Sequence, residues 1–221
     1  KVAFAMAEDF TVTPWEVTGD IDYDLLQKRF GTVPIDDSLL SRISGYGGIH
    51  PMLRRGIFYS HRDLKTVLDE YDKGNKFVLY TGRGPSGNTH LGHIMPWIFN
   101  KWVQDVFGCE MLFQITDDEK FLFKDMTLED TKRMAYENAL DFAALGFDPE
   151  KTKILLDTEN IRTLYPIALK VSKKTTFSTA KAVFGFDNST NIGSIFFTSI
   201  QAAPAFLPTE MAGKPVPCLI P

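Results

Sequence analysis

Two histidines, His90 and His93, follow a glycine-rich turn and stand three positions apart. At a helix start this spacing places both rings on neighbouring surfaces, from which they can face one ligand. The pair is surrounded by four glycines, Gly82, Gly84, Gly87 and Gly92. Glycines let the backbone approach a flat base or a phosphate chain closely. The sequence therefore predicts a nucleotide site, with the histidines donating to phosphoryl oxygens as charge develops.

Two other interpretations of the histidine pair stay open at this point. Two histidines are too few for a zinc site, and no cysteine lies at ligand spacing, so we expect no protein-bound metal. A structural pair, satisfied by local hydrogen bonds, is the second alternative. The surrounding glycines favour the ligand-binding interpretation over both.

An acidic run follows the next predicted strand at residues 116–120 (TDDEK). Such runs are usually solvated turns, and that alternative stays open. Against it, Gln114 is an uncharged polar residue inside an otherwise apolar strand, where an unpaired amide is costly. A polar ligand or a buried partner must satisfy this amide. Tyr80 is expected on the same rim, where it and Gln114 could pair with one donor on a ligand; a core ring with a surface hydroxyl is the alternative.

A lone glutamine, Gln201, stands among small residues at 199–206. This composition suggests a helix held close to another surface, with the amide reaching into a pocket.

If these residues form one site, strands and helices must hold them at one edge of a sheet. From residue 77 the pattern alternates strand and helix, which predicts an α/β fold with a Rossmann-like, doubly wound parallel sheet and right-handed crossovers. The predicted elements are strands at 77–81, 111–115 and 154–156, helices at 93–108, 127–146, 164–174 and 178–184, and a loop-rich tract at 196–208. Pro96 is expected near the first turn of its helix, where proline is tolerated.

Residues 1–76 are expected to form an N-terminal α+β appendage, and residues 77–221 the Rossmann-like catalytic domain, incomplete at its C-terminus. The appendage is predicted to hold a hairpin arm at 11–17, a helix at 22–30 and a helix at 62–71. Arg54 and Arg55 stand beside aromatic residues and could contact RNA, although a solvated helix face is the favoured interpretation.

Composition restricts the class of protein only loosely. The chain has 221 residues, of which 44% are hydrophobic, and a net charge of −4, so it can bury a core but has no global attraction for nucleic acid. Cys109 and Cys218 offer no disulfide framework. Because no apolar run approaches ~20 residues, we expect a soluble, cytoplasmic protein with no membrane partner.

The motifs together resemble class I aminoacyl-tRNA synthetases, and within that class the archaeal and eukaryotic type of tryptophanyl-tRNA synthetase. The sequence His90-Leu91-Gly92-His93 is similar to the HxGH signature of the class. The narrower likeness is the joint occurrence of residues 80–86 (YTGRGPS), 114–120 (QITDDEK), 121–125 (FLFKD) and 200–204 (IQAAP). The arm at 14–17 (PWEV) and residues 53–58 (LRRGIF) also resemble the segment that precedes the catalytic domain.

The resemblance implies a two-step reaction, in which tryptophan and ATP give tryptophanyl-adenylate and the aminoacyl group then passes to tRNA(Trp). It implies tryptophan contacts at Tyr80, Gln114, Glu119 and Gln201, with Tyr80 and Gln114 receiving the indole nitrogen. It implies ATP contacts at Thr81, Gly82, Arg83, Gly84, His90, Gly92, His93 and Lys120. His90 and His93 would be the catalytic residues, ATP would enter with Mg²⁺, and the protein would be a homodimer.

One departure from the family pattern affects this expectation. The family's lysine-rich KMSKS-like loop and its C-terminal anticodon-binding domain are not present in these residues. We therefore expect the chain to be the N-terminal part of the enzyme, which alone binds and catalyses weakly. A non-catalytic, synthetase-like interaction or signalling module is the alternative from another class. A different HxGH nucleotidyl transferase would leave Gln114 and Gln201 without an evident purpose.

Overall fold

The computed structural model of the chain describes residues 10–12, 17–19 and 23–221. The N-terminal part combines helices with short antiparallel strand pairs. Strand β1 (Phe10–Val12) pairs with β2 (Val17–Gly19), and β3 (Val33–Pro34) pairs with β4 (Ser60–His61). The helices of this part are α1 (Tyr23–Phe30), α2 (Asp37–Gly47), α3 (Pro51–Arg54) and α4 (Leu64–Asp72). The structure does not describe residues 13–16 of the predicted arm or residue 22 of the predicted first helix.

The remainder holds a four-stranded sheet in which every pair is parallel. Its strands are β5 (Val78–Arg83), β6 (Glu110–Ile115), β7 (Thr152–Leu156) and β8 (Cys218–Leu219), in the spatial order β7-β6-β5-β8. The helices between them are α5 (Leu91–Phe107), α6 (Asp117–Phe123), α7 (Leu128–Ala143), α8 (Asp157–Ser172), α9 (Phe177–Phe184) and α10 (Ile192–Ala212). The predicted α/β, doubly wound class is confirmed.

Alternate residues of the strands enter two hydrophobic clusters, one on each face of the sheet. On one face, Leu79 and Phe113 pack in a cluster with Trp97 of α5 and Phe142 of α7. The same cluster includes Leu39, Ile43, Leu53 and Leu68 from the N-terminal helices. On the other face, Tyr80 and Leu112 pack in a cluster with residues of α8 and α10. The sheet is thus covered by helices on both sides, as parallel sheets require.

Several helix ends lie where the sequence placed them. Thr127 accepts a hydrogen bond from the Asp130 backbone N–H at 3.1 Å and starts α7. Gly108 ends α5 with φ of 60°, a left-handed conformation that glycine adopts without steric cost.

Three expectations about the elements were wrong, and the alternative of a solvated turn for the acidic run is excluded. Helix α8 begins at Asp157, seven residues before the predicted start, because β7 runs directly into it with the apolar Leu156 at the N-cap. The tract predicted as loop-rich is the 21-residue helix α10, in which buried packing outweighs two internal prolines. The acidic run is the first turn of helix α6. Pro96 lies in the interior of α5, which begins at Leu91.

Within the part of the chain that the structure describes, no helix combines the length and apolarity needed to cross a membrane.

Candidate active site

The carboxyl ends of three strands meet at one edge of the sheet. Arg83 of β5 lies in register with Ile115 of β6, which lies in register with Leu156 of β7. The Thr116 backbone N–H extends this pairing by donating to the Arg83 carbonyl at 3.0 Å. The residues that follow these ends are the glycine turn (residues 82–87), the acidic start of α6 and Asp157. In parallel α/β sheets this edge is where ligands bind.

A chain of side-chain hydrogen bonds lies beneath this edge. We call Tyr80, Gln114, Asp157 and Asp118 the buried polar network. The Tyr80 hydroxyl donates to Gln114 Oε1 at 2.5 Å, and Gln114 Nε2 donates to both carboxyl oxygens of Asp157, at 2.8 and 2.9 Å. Gln114 and Asp157 are fully buried. The polar residue that looked anomalous in an apolar strand therefore has buried partners on both sides.

The two carboxyl groups of the network lie against each other. Burial is the main cause that raises the pKa of Asp157 far above the ordinary range, and the nearby Asp118 carboxyl adds to it. Burial likewise raises the pKa of Asp118, while a hydrogen bond from Asp157 lowers it in part. Two adjacent carboxyls with little solvent around them cannot both ionise at low cost. The pair therefore retains a proton at neutral pH.

Helix α10 adds main-chain oxygens to the network. The Tyr80 hydroxyl lies 2.8 Å from the Gln201 carbonyl oxygen, and Gln114 Nε2 lies 3.5 Å from that of Ile200. Pro204 has no backbone N–H, so the Ile200 carbonyl lacks its usual helical donor four residues on. Position 201 reaches the network through its main-chain carbonyl group, whereas the sequence predicted that its side-chain amide would enter a pocket.

Glu119 and Lys120 pack against the glycine turn. Lys120 Nζ lies 2.5 Å from Glu119 Oε1, and Thr116 Oγ1 donates to Glu119 Oε2 at 2.6 Å. A Cβ atom on Gly84 would lie 2.6 Å from Glu119 Oε2 and 2.5 Å from Lys120 Cε, closer than such atoms approach. A side chain at position 84 would displace the ends of the Glu119 and Lys120 side chains. The structure therefore joins the glycine turn to the start of α6.

The histidine pair, His90 and His93, stands at the N-terminus of α5. His90 is the exposed N-cap, its backbone N–H donates to His93 Nδ1 at 3.2 Å, and the ring centroids are 3.6 Å apart. The Arg83 guanidinium contacts His93 Nε2. Burial, with the adjacent Arg83 cation and His90, lowers the pKa of His93 to about 4. His93 is therefore neutral at pH 7.

Asn138 of α7 connects Arg83 to the glycine turn. Its Oδ1 accepts from Arg83 Nε at 3.1 Å, and its Nδ2 donates to the Gly87 carbonyl at 3.1 Å. The side chain is almost fully buried. Asn138 thus uses both ends of its amide to fix the turn beside the histidine pair.

The structure brings the predicted residues together in three groups. Tyr80 and Gln114 meet position 201, Gly84 meets Glu119 and Lys120, and Arg83 meets the histidine pair. Thr81 and Gly82 lie on β5 among them, and Gly92 lies against the His90 ring.

Two residues of the site, Asp157 and Asn138, were not predicted from the sequence. A carboxylate directly after the strand at 154–156 was a signal for Asp157, which comes to the same edge as the acidic run. Asn138 gave no signal, because a polar residue inside an amphipathic helix usually faces solvent.

A doubly wound parallel sheet with an HxGH sequence at the start of the helix after β5 is the nucleotide-binding architecture of class I synthetases. A family model described as tRNA synthetases class I (W and Y) matches residues 72–203. The chain belongs to this family.

Its relatives narrow the assignment further. A tryptophan–tRNA ligase of Pyrobaculum calidifontis is 54% identical over 98% of this chain, and one of Saccharolobus solfataricus is 49% identical over 98%. The tryptophanyl-tRNA synthetase structure from Trypanosoma brucei superposes with a TM-score of 0.84 at 43% identity, over 90% of this chain and 63% of that one. That from Encephalitozoon cuniculi bound to tryptophan gives 0.86 at 41%, over 90% and 60%. The chain spans 58% of the length of the Pyrobaculum relative and 56% of the Saccharolobus one.

Proposed function

We propose that these residues form the amino-acid-activating site of a tryptophan–tRNA ligase. The observation that carries the proposal is the meeting, at one sheet edge, of a buried Tyr80–Gln114 pair with a glycine turn and a histidine pair. The first group suits an aromatic substrate with one polar N–H, and the second suits a nucleotide. In the proposed reaction a tryptophan carboxylate oxygen bonds to the α-phosphorus of ATP, and the bond to the β-phosphate oxygen breaks to release pyrophosphate.

Tyr80 and Gln114 are proposed to receive the indole N–H. The Tyr80 hydroxyl proton lies within reach of two protein acceptors, Gln114 Oε1 and the Gln201 carbonyl, so its oxygen remains available as an acceptor. A site that buries polar groups against a substrate N–H rejects analogues lacking it by ~10⁴-fold, far more than a size mismatch does.

Glu119 and Gln201 are proposed to hold the substrate's ammonium group. Glu119 is buried and offers a carboxylate beside the glycine turn, while Lys120 and Thr116 occupy one oxygen each. A carboxylate oxygen has two lone pairs, so both oxygens retain acceptor capacity. The proposed position puts the reacting carboxylate between the buried polar network and the nucleotide.

The glycine turn and the histidine pair are proposed to bind ATP, which enters as its Mg²⁺ complex. Thr81, Gly82, Arg83, Gly84, Gly92 and Lys120 would border the nucleotide. Backbone N–H groups at the start of α5 and the helix dipole favour phosphate there. Because His93 is neutral, Arg83 supplies the positive charge, and the Nε2–H of His93 would donate to a phosphoryl oxygen once ATP replaces its contact with Arg83.

We propose tRNA(Trp) as the second substrate and a homodimer as the assembly, acting in the cytoplasm. Five exposed apolar side chains on α7 and α8 support the dimer: they are Tyr136, Leu140, Ile161, Tyr165 and Leu169. The Tyr136 hydroxyl donates to Glu159 at 2.7 Å, which shows that the two helices are adjacent there. Leu140→Lys is expected to shift the protein to monomer in sedimentation; an unchanged dimer would refute this interface.

The direct test is amino-acid-dependent ATP–pyrophosphate exchange, on the protein expressed from its complete gene, with tryptophan and tyrosine supplied separately. Exchange with tryptophan alone is the expected result. A preference for tyrosine or another amino acid would contradict the substrate assignment. No exchange with any amino acid would favour the non-catalytic interaction module.

A further inference from the structure

We propose that Asp157 is a positioning residue that sets the polarity of the tryptophan pocket by fixing which end of the Gln114 amide faces the substrate. This inference rests on the proposed function and assigns a determinant of its specificity. Asp157 does not contact the substrate in the proposed arrangement. It acts through Gln114, which the proposed function places against the indole N–H.

The contacts define the orientation of the amide. Gln114 Nε2 lies 2.8 and 2.9 Å from the two Asp157 oxygens, and Oε1 lies 2.5 Å from the Tyr80 hydroxyl. The opposite orientation would place Oε1 against the Asp157 oxygens, where only a proton on Asp157 could make a bond. The nitrogen would then face Tyr80 and the pocket as a donor. Amide orientation is decided by such partners, and here Asp157 is the partner at the buried end.

Asp118 gives Asp157 a second partner, because a side-chain hydrogen bond joins the two carboxyl groups. Asp157 is therefore held between Asp118 and the Gln114 amide. Because both Asp157 oxygens lie within hydrogen-bond distance of Gln114 Nε2, the donor end of the amide is held inward.

The consequence is a pocket floor that offers acceptors. Gln114 Oε1 keeps a second lone pair, and the Tyr80 oxygen keeps its lone pairs because a protein acceptor takes its proton. A ligand must bring an N–H to such a floor, because an analogue without one leaves buried polar groups unpaired. Without Asp157, the Gln114 amide could rotate and present Nε2 to the pocket. The pocket would then require a ligand N–H less strictly.

The experiment compares tryptophan with its benzothiophene analogue, in which sulfur replaces the indole N–H, in pyrophosphate exchange by the protein from its complete gene. The measured quantity is the ratio of the two kcat/KM values, expected at ~10⁴ for the wild type. Asp157→Leu, an apolar side chain of the same shape, is expected to lower the ratio to ~10². The loss should fall on KM for tryptophan, with KM for ATP unchanged.

Two matched variants separate orientation from charge. In Asp157→Asn the new amide can donate to Asp118 and still accept from Gln114, so the ratio is expected to stay within about threefold of the wild type. Asp118→Asn removes the neighbouring carboxyl without touching Gln114, and the ratio should again be retained.

Asp157→Ser is the second test variant if Asp157→Leu fails to fold. Its hydroxyl can donate to Oε1 as well as accept, so an approximately tenfold fall in the ratio is expected.

The possible outcomes are distinct. The positioning role is supported if the ratio falls in Asp157→Leu or Asp157→Ser. The ratio must also be retained in Asp157→Asn and Asp118→Asn. An equal loss for both substrates, which leaves the ratio intact, or a fall for Asp157→Asn as large as for Leu, overturns it. A wild type with no tryptophan-dependent exchange contradicts the proposed function itself, before any variant is compared.

Discussion

The buried polar network and the histidine pair lie at the same sheet edge but are held in different ways. Gln114 and Asp157 are fully buried and connected by side-chain hydrogen bonds from three elements, β5, β6 and α8. His90 is exposed, and the pair is held by local hydrogen bonds at the start of α5 and by contact with Arg83.

The difference indicates how the two substrates would be handled. A preformed, desolvated network can select an amino acid by hydrogen-bond polarity before any movement. Exposed rings on a glycine-rich turn can adjust to the changing charge of a phosphate chain. Substitutions should therefore separate the two regions, because one set affects amino-acid selection and the other the nucleotide step.

The largest expected effect separates the two regions directly. His93→Ala should lower kcat for pyrophosphate exchange by ~10²–10³-fold, because it removes a donor to charge that develops in the transition state. The KM for tryptophan and the thermal unfolding midpoint should change little, since the buried polar network is untouched. A comparable rise in KM for tryptophan would show that the two regions are not separable.

A smaller effect is expected from Asn138, which supports only the nucleotide region. Asn138→Ala removes the bonds to Arg83 and to the Gly87 carbonyl, so KM for ATP should rise by about tenfold. Asn138→Asp keeps the acceptor for Arg83 and loses the donor to Gly87, which separates the two contributions. Steady-state kinetics with each substrate varied would check this, and an equal rise in KM for tryptophan would argue against a local role.

The smallest effect concerns the pH dependence of the buried polar network. The pKa of Asp118 is raised to about 6 in the folded state, above its value in the unfolded chain. Its stabilising contribution is therefore complete below about pH 4 and is lost as the pH rises through about 6. Asp118→Asn removes this titration, so its unfolding midpoint should match the wild type at pH 4 and exceed it at pH 7.

Each increase of about 1 kcal/mol in the free energy of unfolding raises the unfolding midpoint by roughly 2–4 °C in a protein of this size. Thermal unfolding across this pH range would measure it. A constant offset between variant and wild type at every pH would mean that Asp118 does not titrate as its burial requires.

The sequence predicted those site residues whose type is unusual for their surroundings. Gln114 stood out because an amide in an apolar strand demands a partner, and the histidine pair stood out by its glycine surroundings. Asp157 was missed because helix α8 has Leu156 at its N-cap, so the usual side-chain signal for a helix start was absent.

Helix α10 was predicted only in part, because the small residues at 199–206 suggested a helix while the wider tract at 196–208 was predicted as loop-rich. It is apolar on most sides and contains Pro204 and Pro208, so it lacked the periodic pattern of a surface helix. Its contribution to the site comes from main-chain carbonyls, which are common to all residue types. Such contacts follow from the packing of the whole fold, and the sequence indicates one of them only through Pro204, which leaves the Ile200 carbonyl without its helical donor.

The sheet order also has a consequence for synthesis on the ribosome. Val78 of β5 pairs with Cys218 of β8, 140 residues later in the chain. At translation rates of 5–20 residues per second, this edge of β5 waits about 7–28 s for its partner strand. During that interval an apolar strand edge is open to other chains. We therefore expect newly made protein to bind general chaperones through β5 until β8 has left the exit tunnel.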